Sequence, residues 1–357
     1  MKTTTSPLRY FLLPAFSLFV LALSAQDIHF SQFGNSPINL NPGLTGAFGG
    51  DMRFVANYRS QWRVDPNPPL VPYLTFAGSV ENKIYYNKGK YDRYITAGLL
   101  FDYDRQGDLA LTSTQIGIPV SFTHVVGRNK FVTLGVTPAF GQRAFSTNSI
   151  SFDAQWVDCV YDPNADFRES QLFQNTSLKY FDLSAGLNFR LQSGKERSRL
   201  DLGGGLHHLN RPNHDFWNYN VSDKPGQVRL RTKMALYAVG LVELTDGMDL
   251  VGQVQYQKQG PYEEIVYGIG GRLHLNRKAY DELALQIGVD FRHRYSDAFI
   301  PHVEVLWRTW TLGFSYDMNS WSEVKTLTNG RGGPELSLIY RLYKVKPLPV
   351  FKSCPFI

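Results

Sequence analysis

The sequence has little cysteine, no long apolar stretch beyond its N-terminus and no concentration of charge. Only 2 of its 357 residues are cysteine, which excludes a disulfide-rich scaffold. After residue 25 no segment approaches the roughly 18 unbroken apolar residues that a transmembrane helix needs. The formal charge of +6 is spread over many turns and loops. Because nucleic-acid binding needs clustered basic residues, no nucleic-acid partner is expected.

Aromatic residues and glycine are abundant instead. The chain contains 24 Phe, 20 Tyr, 6 Trp and 31 Gly. Aromatic side chains cover pleated surfaces well, and glycine marks turns and bends, so this composition favours β-structure.

The first 25 residues have the features of an export signal. Lys2 and Arg9 form a basic start, and an apolar stretch of 14 residues follows from Tyr10 to Leu23. Such a stretch is too short to span a membrane comfortably and is typical of a signal peptide. We therefore predict a signal peptide over 1–25, cleaved after Ala25, and an exported protein.

Apolar and polar residues alternate over segments of about ten residues. Since successive side chains of a strand point to opposite sides, each such segment has one apolar and one polar face. In 182–191 the apolar face holds Leu183, Ala185, Leu187, Phe189 and Leu191, and the polar face holds Asp182, Ser184, Gly186, Asn188 and Arg190. The same alternation occurs in 285–292 and 310–317.

A soluble sandwich would also alternate, but three features favour a membrane barrel. The segments have the length that a tilted strand needs to cross a bilayer. Their polar faces carry Asp, Arg, Gln and His, which suit an aqueous lumen. Their apolar faces often end in aromatic residues, as barrels do at the lipid headgroups. These aromatic residues are Tyr103, Tyr256, Phe291, Trp307 and Tyr316.

The sequence thus predicts an all-β fold, a transmembrane antiparallel β-barrel in the cell outer membrane with outer-membrane lipid around it. An even number of strands leaves both termini in the periplasm, with short periplasmic turns and long extracellular loops. About fourteen strands are predicted, over 52–60, 73–86, 93–104, 112–125, 131–142, 178–191, 200–209, 230–243, 249–258, 265–275, 282–293, 299–308, 310–318 and 335–342.

The barrel is predicted to occupy 51–343, with a periplasmic C-terminal tail over 344–357. Residues 26–50 have no strand or helix periodicity and could line the barrel floor, plug the lumen or lie in the periplasm. The topology places Cys159 in the longest external loop and Cys354 in the tail, on opposite sides of the membrane. An internal disulfide is therefore not expected.

No motif indicates catalysis, a cofactor or a metal site, and we predict that the protein is not an enzyme. His207 and His208 are adjacent on a predicted strand, so they should face opposite sides and could not chelate one ion together. Residues 162–166 have the spacing that opens a calcium loop, but Phe167 and Phe173 stand where glycine and glutamate are needed. A looser calcium site in 143–177 and a barrel hydrolase remain less favoured alternatives.

The mature sequence resembles the PorP/SprF family of type IX secretion system outer-membrane proteins from Bacteroidetes. The matching segments occur in family order along essentially the whole mature chain. They are 26–33, 36–46, 57–62, 72–73, 207–213, 315–319, 335–341 and 354–355.

The resemblance implies a role in type IX secretion and gliding motility. The expected partners are the C-terminal domain of a secreted cargo or adhesin, which the barrel would help export or anchor, and other secretion or gliding components in the periplasm. The alternative is an outer-membrane transporter or channel for small hydrophobic or polar solutes. Partner contact is predicted at two motifs, namely Asn210, Arg211, Pro212 and Asn213 before a long external loop, and Asn41 and Pro42 near the mature N-terminus.

Overall fold

The chain forms a closed antiparallel β-barrel in a computed structural model. The structure describes residues 27–61, 71–86, 92–107, 109–146, 155–157, 160–162, 176–194, 197–214, 216, 228–278, 281–293, 298–319 and 330–344. Neighbouring strands of the wall are antiparallel and hydrogen-bonded, and the first strand pairs with the last from Met52↔Leu342 to Arg59↔Glu335.

In these residues the wall has fourteen strand positions, one of which is shared by β4 and β5. A separate two-stranded hairpin, β7 with β8, lies in the connection between β6 and β9. The strands are β1 (Met52–Gln61), β2 (Tyr73–Ile84), β3 (Arg93–Gln106), β4 (Leu111–Gly117), β5 (Val120–Gly127), β6 (Lys130–Ala144), β7 (Trp156–Val157), β8 (Val160–Tyr161), β9 (Ser177–Gln192), β10 (Arg199–His207), β11 (Lys233–Thr245), β12 (Met248–Gln259), β13 (Tyr262–Asn276), β14 (Leu283–His293), β15 (Ala298–Trp307), β16 (Trp310–Asn319) and β17 (Arg331–Leu342). The predicted barrel of fourteen strands is confirmed.

One predicted strand, 112–125, is interrupted. Proline has no backbone N–H to donate, so Pro119 cannot continue the ladder, and Ile118 instead donates to the carbonyl of Pro138 at 2.9 Å. The carbonyl of Pro119 still accepts from Gly98 N at 3.0 Å. As a result β4 and β5 pair with different stretches of β3 but occupy one position in the wall.

The two faces of the wall are inverted relative to a soluble protein. In β9 the lumen-facing Asp182 and Asn188 are each 1% exposed, whereas the outward Leu187 is 51% exposed. In β14 the lumen-facing Asp290 is 0% exposed and the outward Ile287 is 57% exposed. Apolar side chains therefore face the lipid and polar side chains face the lumen, as the alternation predicted.

The connections fall into two groups at opposite ends of the barrel. One end, here called the loop end, carries the long connections 62–72, 145–176, 208–232 and 320–330, together with three short ones. The other, the turn end, carries the chain termini of the barrel and connections such as 128–129, 246–247 and 308–309. Outer-membrane barrels direct long loops outward and short turns toward the periplasm, which assigns the two ends.

Residues 27–51 lie inside the lumen and are here called the plug. The plug contains short helical turns, the 3-10 turns Phe33–Asn35 and Pro42–Leu44 and the α-helix α1 (Pro37–Leu40). Its apolar residues Phe33, Leu40 and Leu44 pack with wall residues of β11 and β13 in a small buried core. Among the described residues no helix has the length and apolar character to cross a membrane.

Candidate functional site

The plug begins at the loop end of the lumen, where Asp27 meets two cationic groups. Its carboxylate lies 2.6 Å from His208 Nε2 and 3.2 Å from Lys233 Nζ. Burial alone would raise the pKa of Asp27, but His208 and Lys233 outweigh burial and hold this pKa well below its usual range. Burial would likewise lower the pKa of His208, yet Asp27 and Asp182 raise it to about 9. The start of the plug is thus held by ion pairs.

The next residues of the plug are held by a buried charged cluster on the wall. Glu335 accepts from the backbone N–H groups of Ser31 and Gln32, both at 2.8 Å. Asp317 accepts from the Ser31 hydroxyl at 2.7 Å and pairs with Arg59 at 2.6 Å. All of these side chains are nearly inaccessible to water, so the charges depend on each other for solvation.

The middle of the plug packs directly against glycine residues of the wall, Gly135 and Gly186, a contact here called the glycine seat. A Cβ atom on Gly186 would lie 1.7 Å from Asn41 Oδ1, and one on Gly135 would lie 2.0 Å from the Pro42 carbonyl oxygen. Asn41 Nδ2 donates to the carbonyl of Leu187 at 2.9 Å and to the Tyr237 hydroxyl at 3.1 Å. Only a wall without side chains at these points lets the backbone turn approach so closely.

The end of the plug descends to the turn end beside paired basic residues. Arg53 pairs with Glu81 at 2.7 Å, and Glu81 also accepts from Gly46 N at 2.8 Å. Arg190 donates to the carbonyl of Ala47 at 2.8 Å. Backbone groups of the plug therefore find their partners in side chains of the wall, since no neighbouring strand is available inside the lumen.

Above the plug, at the loop end, lies a polar cavity with about 860 Å³ of space that includes open solvent. Asp102 and Asp104 line one side, and Arg143 and His214 line another. Arg143 Nη1 lies 2.9 Å from His214 Nδ1. Burial and Arg143 together lower the pKa of His214 to about 4, so this histidine is neutral at pH 7. The lining of the cavity therefore carries both acidic and basic groups.

The predicted partner motif Asn210–Asn213 lies at the rim of this cavity. Asn210 is exposed but binds backbone, accepting from Leu183 N at 3.1 Å and donating to the carbonyl of Phe181 at 2.6 Å. Arg211 is exposed with a left-handed φ of 45°, and Asn213 is exposed and forms a bridge with Arg229. Pro212 is buried. The motif caps a strand edge and leaves Arg211 and Asn213 accessible.

The other predicted partner residues, Asn41 and Pro42, are buried in the lumen instead of at a surface. The structure connects the two motifs indirectly, because His207 at the end of β10 lies 3.3 Å from the carbonyl of Leu40. Arg211 and Asn213 of the first motif are therefore exposed, whereas Asn41 and Pro42 are enclosed by the wall of the lumen.

The expectation that His207 and His208 face opposite sides is wrong. Both are buried, at 8% and 5% exposure, with ring centroids 6.3 Å apart. The strand ends at His207, and His208 adopts a φ of 57°, which turns its ring back into the barrel. Within the described residues no group of three or more His, Cys, Asp or Glu could hold a metal ion.

Sequence reasoning missed the wall residues that bind the plug. The polar strand faces were recognised as lumen lining, but charged residues such as Glu81, Glu335 and Arg59 gave no sign of what they would bind. The N-terminal segment itself indicated that such partners exist. Its residues have no strand or helix periodicity, so their backbone N–H and C=O groups need hydrogen-bond partners elsewhere. Cys159, Cys354 and most of the calcium-like segment 162–173 lie outside the described residues.

Comparisons with known proteins concern a family model, curated protein sequences and solved structures. The model of a protein family described as "Type IX secretion system membrane protein PorP/SprF" matches residues 22–340. No match was found among curated protein sequences.

Solved structures of outer-membrane channels are similar at low identity. The CymD monoaromatic hydrocarbon channel has 12% identity and a TM-score of 0.49, with 88% of this chain and 94% of that chain covered. The Pseudomonas putida toluene transporter TodX has 8% identity and a TM-score of 0.48, with 88% and 94% covered. A Pseudomonas aeruginosa FadL homologue has 10% identity and a TM-score of 0.44, with 85% and 93% covered.

Proposed function

The chain belongs to the PorP/SprF family of type IX secretion system membrane proteins, and from this premise we propose that it is a closed docking platform for a secreted cargo. The barrel lies in the outer membrane and has a role in type IX secretion. In the proposal, the loop-end cavity and its rim bind the C-terminal domain of a cargo or adhesin and help to export or anchor it. Components of the secretion and gliding machinery bind at the turn end.

The observation that carries the proposal is the plug. It occupies the lumen with a segment that binds the wall at several levels, from Asp27 beside His208 to Phe48, whose carbonyl accepts from Lys83. The charged cluster at Glu335 and the glycine seat at Gly186 lie between these two points. A lumen held closed at several levels suits a protein that binds at its ends better than one that conducts solutes along its axis.

The loop end supplies a surface suited to a protein partner. The lining of the cavity includes both carboxylates and basic groups. The exposed Arg211 and Asn213 extend this surface onto the rim. Interfaces gain specificity from such mixed charges because a wrong partner meets like charges.

The decisive experiment is clean deletion of the gene, followed by measurement of each type IX cargo on the cell surface. We expect one cargo or adhesin to be lost from the surface or released into the medium, together with any motility that depends on it. Normal display of every cargo and normal motility would contradict the proposal.

A rim variant locates the contact. Arg211→Glu reverses an exposed charge without touching the plug, and should reduce cargo retention while the barrel level stays normal. Arg105→Glu, at an exposed and outward-facing position near the loop end of β3, is the matched control and should retain the cargo. Equal retention by both variants would remove Arg211 from the binding surface.

Conductance in planar bilayers separates the proposal from the transporter alternative. The proposed platform should show no steady open pore, because the plug occupies the lumen. A stable conductance by the unmodified protein, or uptake of a small solute that is lost on deletion, would favour transport.

A further inference from the structure

Three arginines face the lumen at the turn end, below the plug. Arg199 begins β10, Arg272 lies near the end of β13, and Arg341 lies near the end of β17. Each occupies a lumen-facing position of its strand, in phase with buried residues such as Asp201 and Ser337. Although Arg199 points inward, it is exposed, and the other two are partly exposed. Water therefore reaches these side chains from the turn end.

The three arginines are here called the arginine vestibule. Neighbouring acidic groups neutralise their positive charge only in part. Arg272 donates to Gln286 Oε1 at 2.7 Å, a neutral partner. Within the described part of the chain, the guanidinium groups of Arg199 and Arg341 have no hydrogen bond or ion pair. The three lie close enough to repel one another, and Glu304 is the acidic group that they share.

The shared glutamate is already engaged by the plug. Asn35 Nδ2 donates to Glu304 Oε1 at 2.9 Å. The other carboxylates near these arginines are paired, since Asp201 binds Arg190 at 2.5 Å and Asp249 binds Arg197 at 2.7 Å. The vestibule therefore retains positive charge, and a cleft with low-dielectric walls concentrates the field of such charge.

The arrangement fits an extended acidic segment better than one small anion. β10 and β17 lie seven positions apart in the strand order, so Arg199 and Arg341 extend into the lumen from opposite sides of the wall, and Arg272 lies on a strand between them. A segment with several carboxylates can meet each guanidinium with its own carboxylate, whereas one small anion cannot pair with all three in this way. Lipid headgroups surround the outside of the wall, whereas these arginines face inward. The chain's own residues 344–357 contain three lysines and no Asp or Glu.

We propose that the arginine vestibule binds an Asp- or Glu-rich segment of a periplasmic protein. Guanidinium groups bind carboxylates through paired, charge-assisted hydrogen bonds, which is the chemistry that the vestibule offers. This inference depends on the proposed function in one respect only, namely that a protein partner binds at the turn end. Glu304, the carboxylate near the three arginines, also accepts from Asn35 of the plug, so the vestibule and the plug share one acidic group.

The test uses the full-length protein in lipid nanodiscs and a fluorescent peptide of alternating Glu and Gly, with binding followed by anisotropy. We expect binding that weakens as salt rises from about 0.05 M to about 0.5 M. Arg199→Gln and Arg341→Gln should each weaken it about tenfold, and the triple variant with Arg272→Gln should abolish it. Arg277→Gln is the matched control, an exposed arginine at the same end that pairs with Asp246 outside the lumen.

Other outcomes overturn the inference. These are an absence of acidic-peptide binding at low salt, equal binding by Arg199→Gln and the control, or equal binding of the corresponding Lys-Gly peptide. Full competition by inorganic phosphate at similar concentrations would show a small-anion site instead of a segment site. Heat-modifiable gel mobility verifies folding, and the single variants remain informative if the triple variant does not fold.

Cargo display measured in the same strains separates this inference from the proposed function. Cargo loss on deletion, with no peptide binding by the protein, rejects the vestibule alone. Peptide binding that depends on the arginines, with normal display of every cargo after deletion, rejects the docking function alone.

Discussion

Replacing Gly186 by alanine should loosen the middle of the plug. The added Cβ would lie 1.7 Å from Asn41 Oδ1, inside any permitted contact, so the Asn41 side-chain amide must leave its position against the wall. Movement breaks the bonds of the Asn41 amide to Leu187, Tyr237 and Gly43. At about 1 kcal/mol net for each hydrogen bond, the docked turn loses about 3 kcal/mol, or about a hundredfold in its docking equilibrium.

Hydrogen exchange followed by mass spectrometry measures this loss. We expect the amides of residues 43–45 to exchange about a hundredfold faster in Gly186→Ala, and Gly135→Ala should act in the same direction, because its Cβ would meet the Pro42 carbonyl oxygen at 2.0 Å. Gly252→Ala is the matched control, a wall glycine with nothing within 4 Å of the added Cβ. Alanine in place of a strand glycine is otherwise neutral or stabilising, so the sign of the effect is informative. Wild-type protection in Gly186→Ala would refute the seating of the plug on wall glycines.

Three further predictions concern the charges and the lipid face. Asp317→Ala leaves two buried arginines without their shared carboxylate and should lower the free energy of unfolding by about 3–5 kcal/mol in urea titrations, whereas an unchanged midpoint would show that the cluster is dispensable. The pKa of His208 is raised to about 9, so its stabilisation of the plug should be complete below about pH 6.5 and be lost as pH rises toward 9. The pKa of Asp27 is lowered, so its stabilisation of the plug should be present above about pH 4 and be lost at lower pH. Limited proteolysis of the plug, measured across this pH range, checks both effects. Asp27→Asn should make the rate of proteolysis less dependent on pH. Ile287→Arg places a charge on the lipid face in the middle of β14 and should cost about 2–4 kcal/mol in bilayer refolding, with Ile287→Leu as the neutral control.

The barrel could be predicted from the sequence because each strand has its own local signal. The alternation in 182–191 or 285–292 depends only on neighbouring residues, and it identifies both the strand and its lipid-facing side. The exceptions arise where backbone chemistry overrides the alternation. Pro119 divides a strand that otherwise alternates without a break, and the positive φ of His208 reverses the direction of its ring.

The candidate site could not be predicted in the same way, because it depends on contacts between distant parts of the chain. Ser31 and Glu335 are 304 positions apart, and Gly186 meets Asn41 only after the barrel has closed. The plug has no periodicity that identifies its location, so its three possible positions remained equivalent in the sequence. The motif around Asn41 was recognisable as special, but its seat on the wall was visible only in the folded chain.

The closure of the wall also orders the assembly of the protein. The plug precedes all the strands of the barrel in the sequence, and its residues Ser31 and Gln32 are held by Glu335 on β17, the strand that completes the barrel against β1. Until that last strand is in place, the sheet has two free edges and the plug lacks one of its main anchors. A chain that stops before residue 335 should therefore have both an open sheet and an N-terminal segment without its Glu335 anchor. The barrel closes and the plug gains this anchor in the same step, when the final strand pairs with β1.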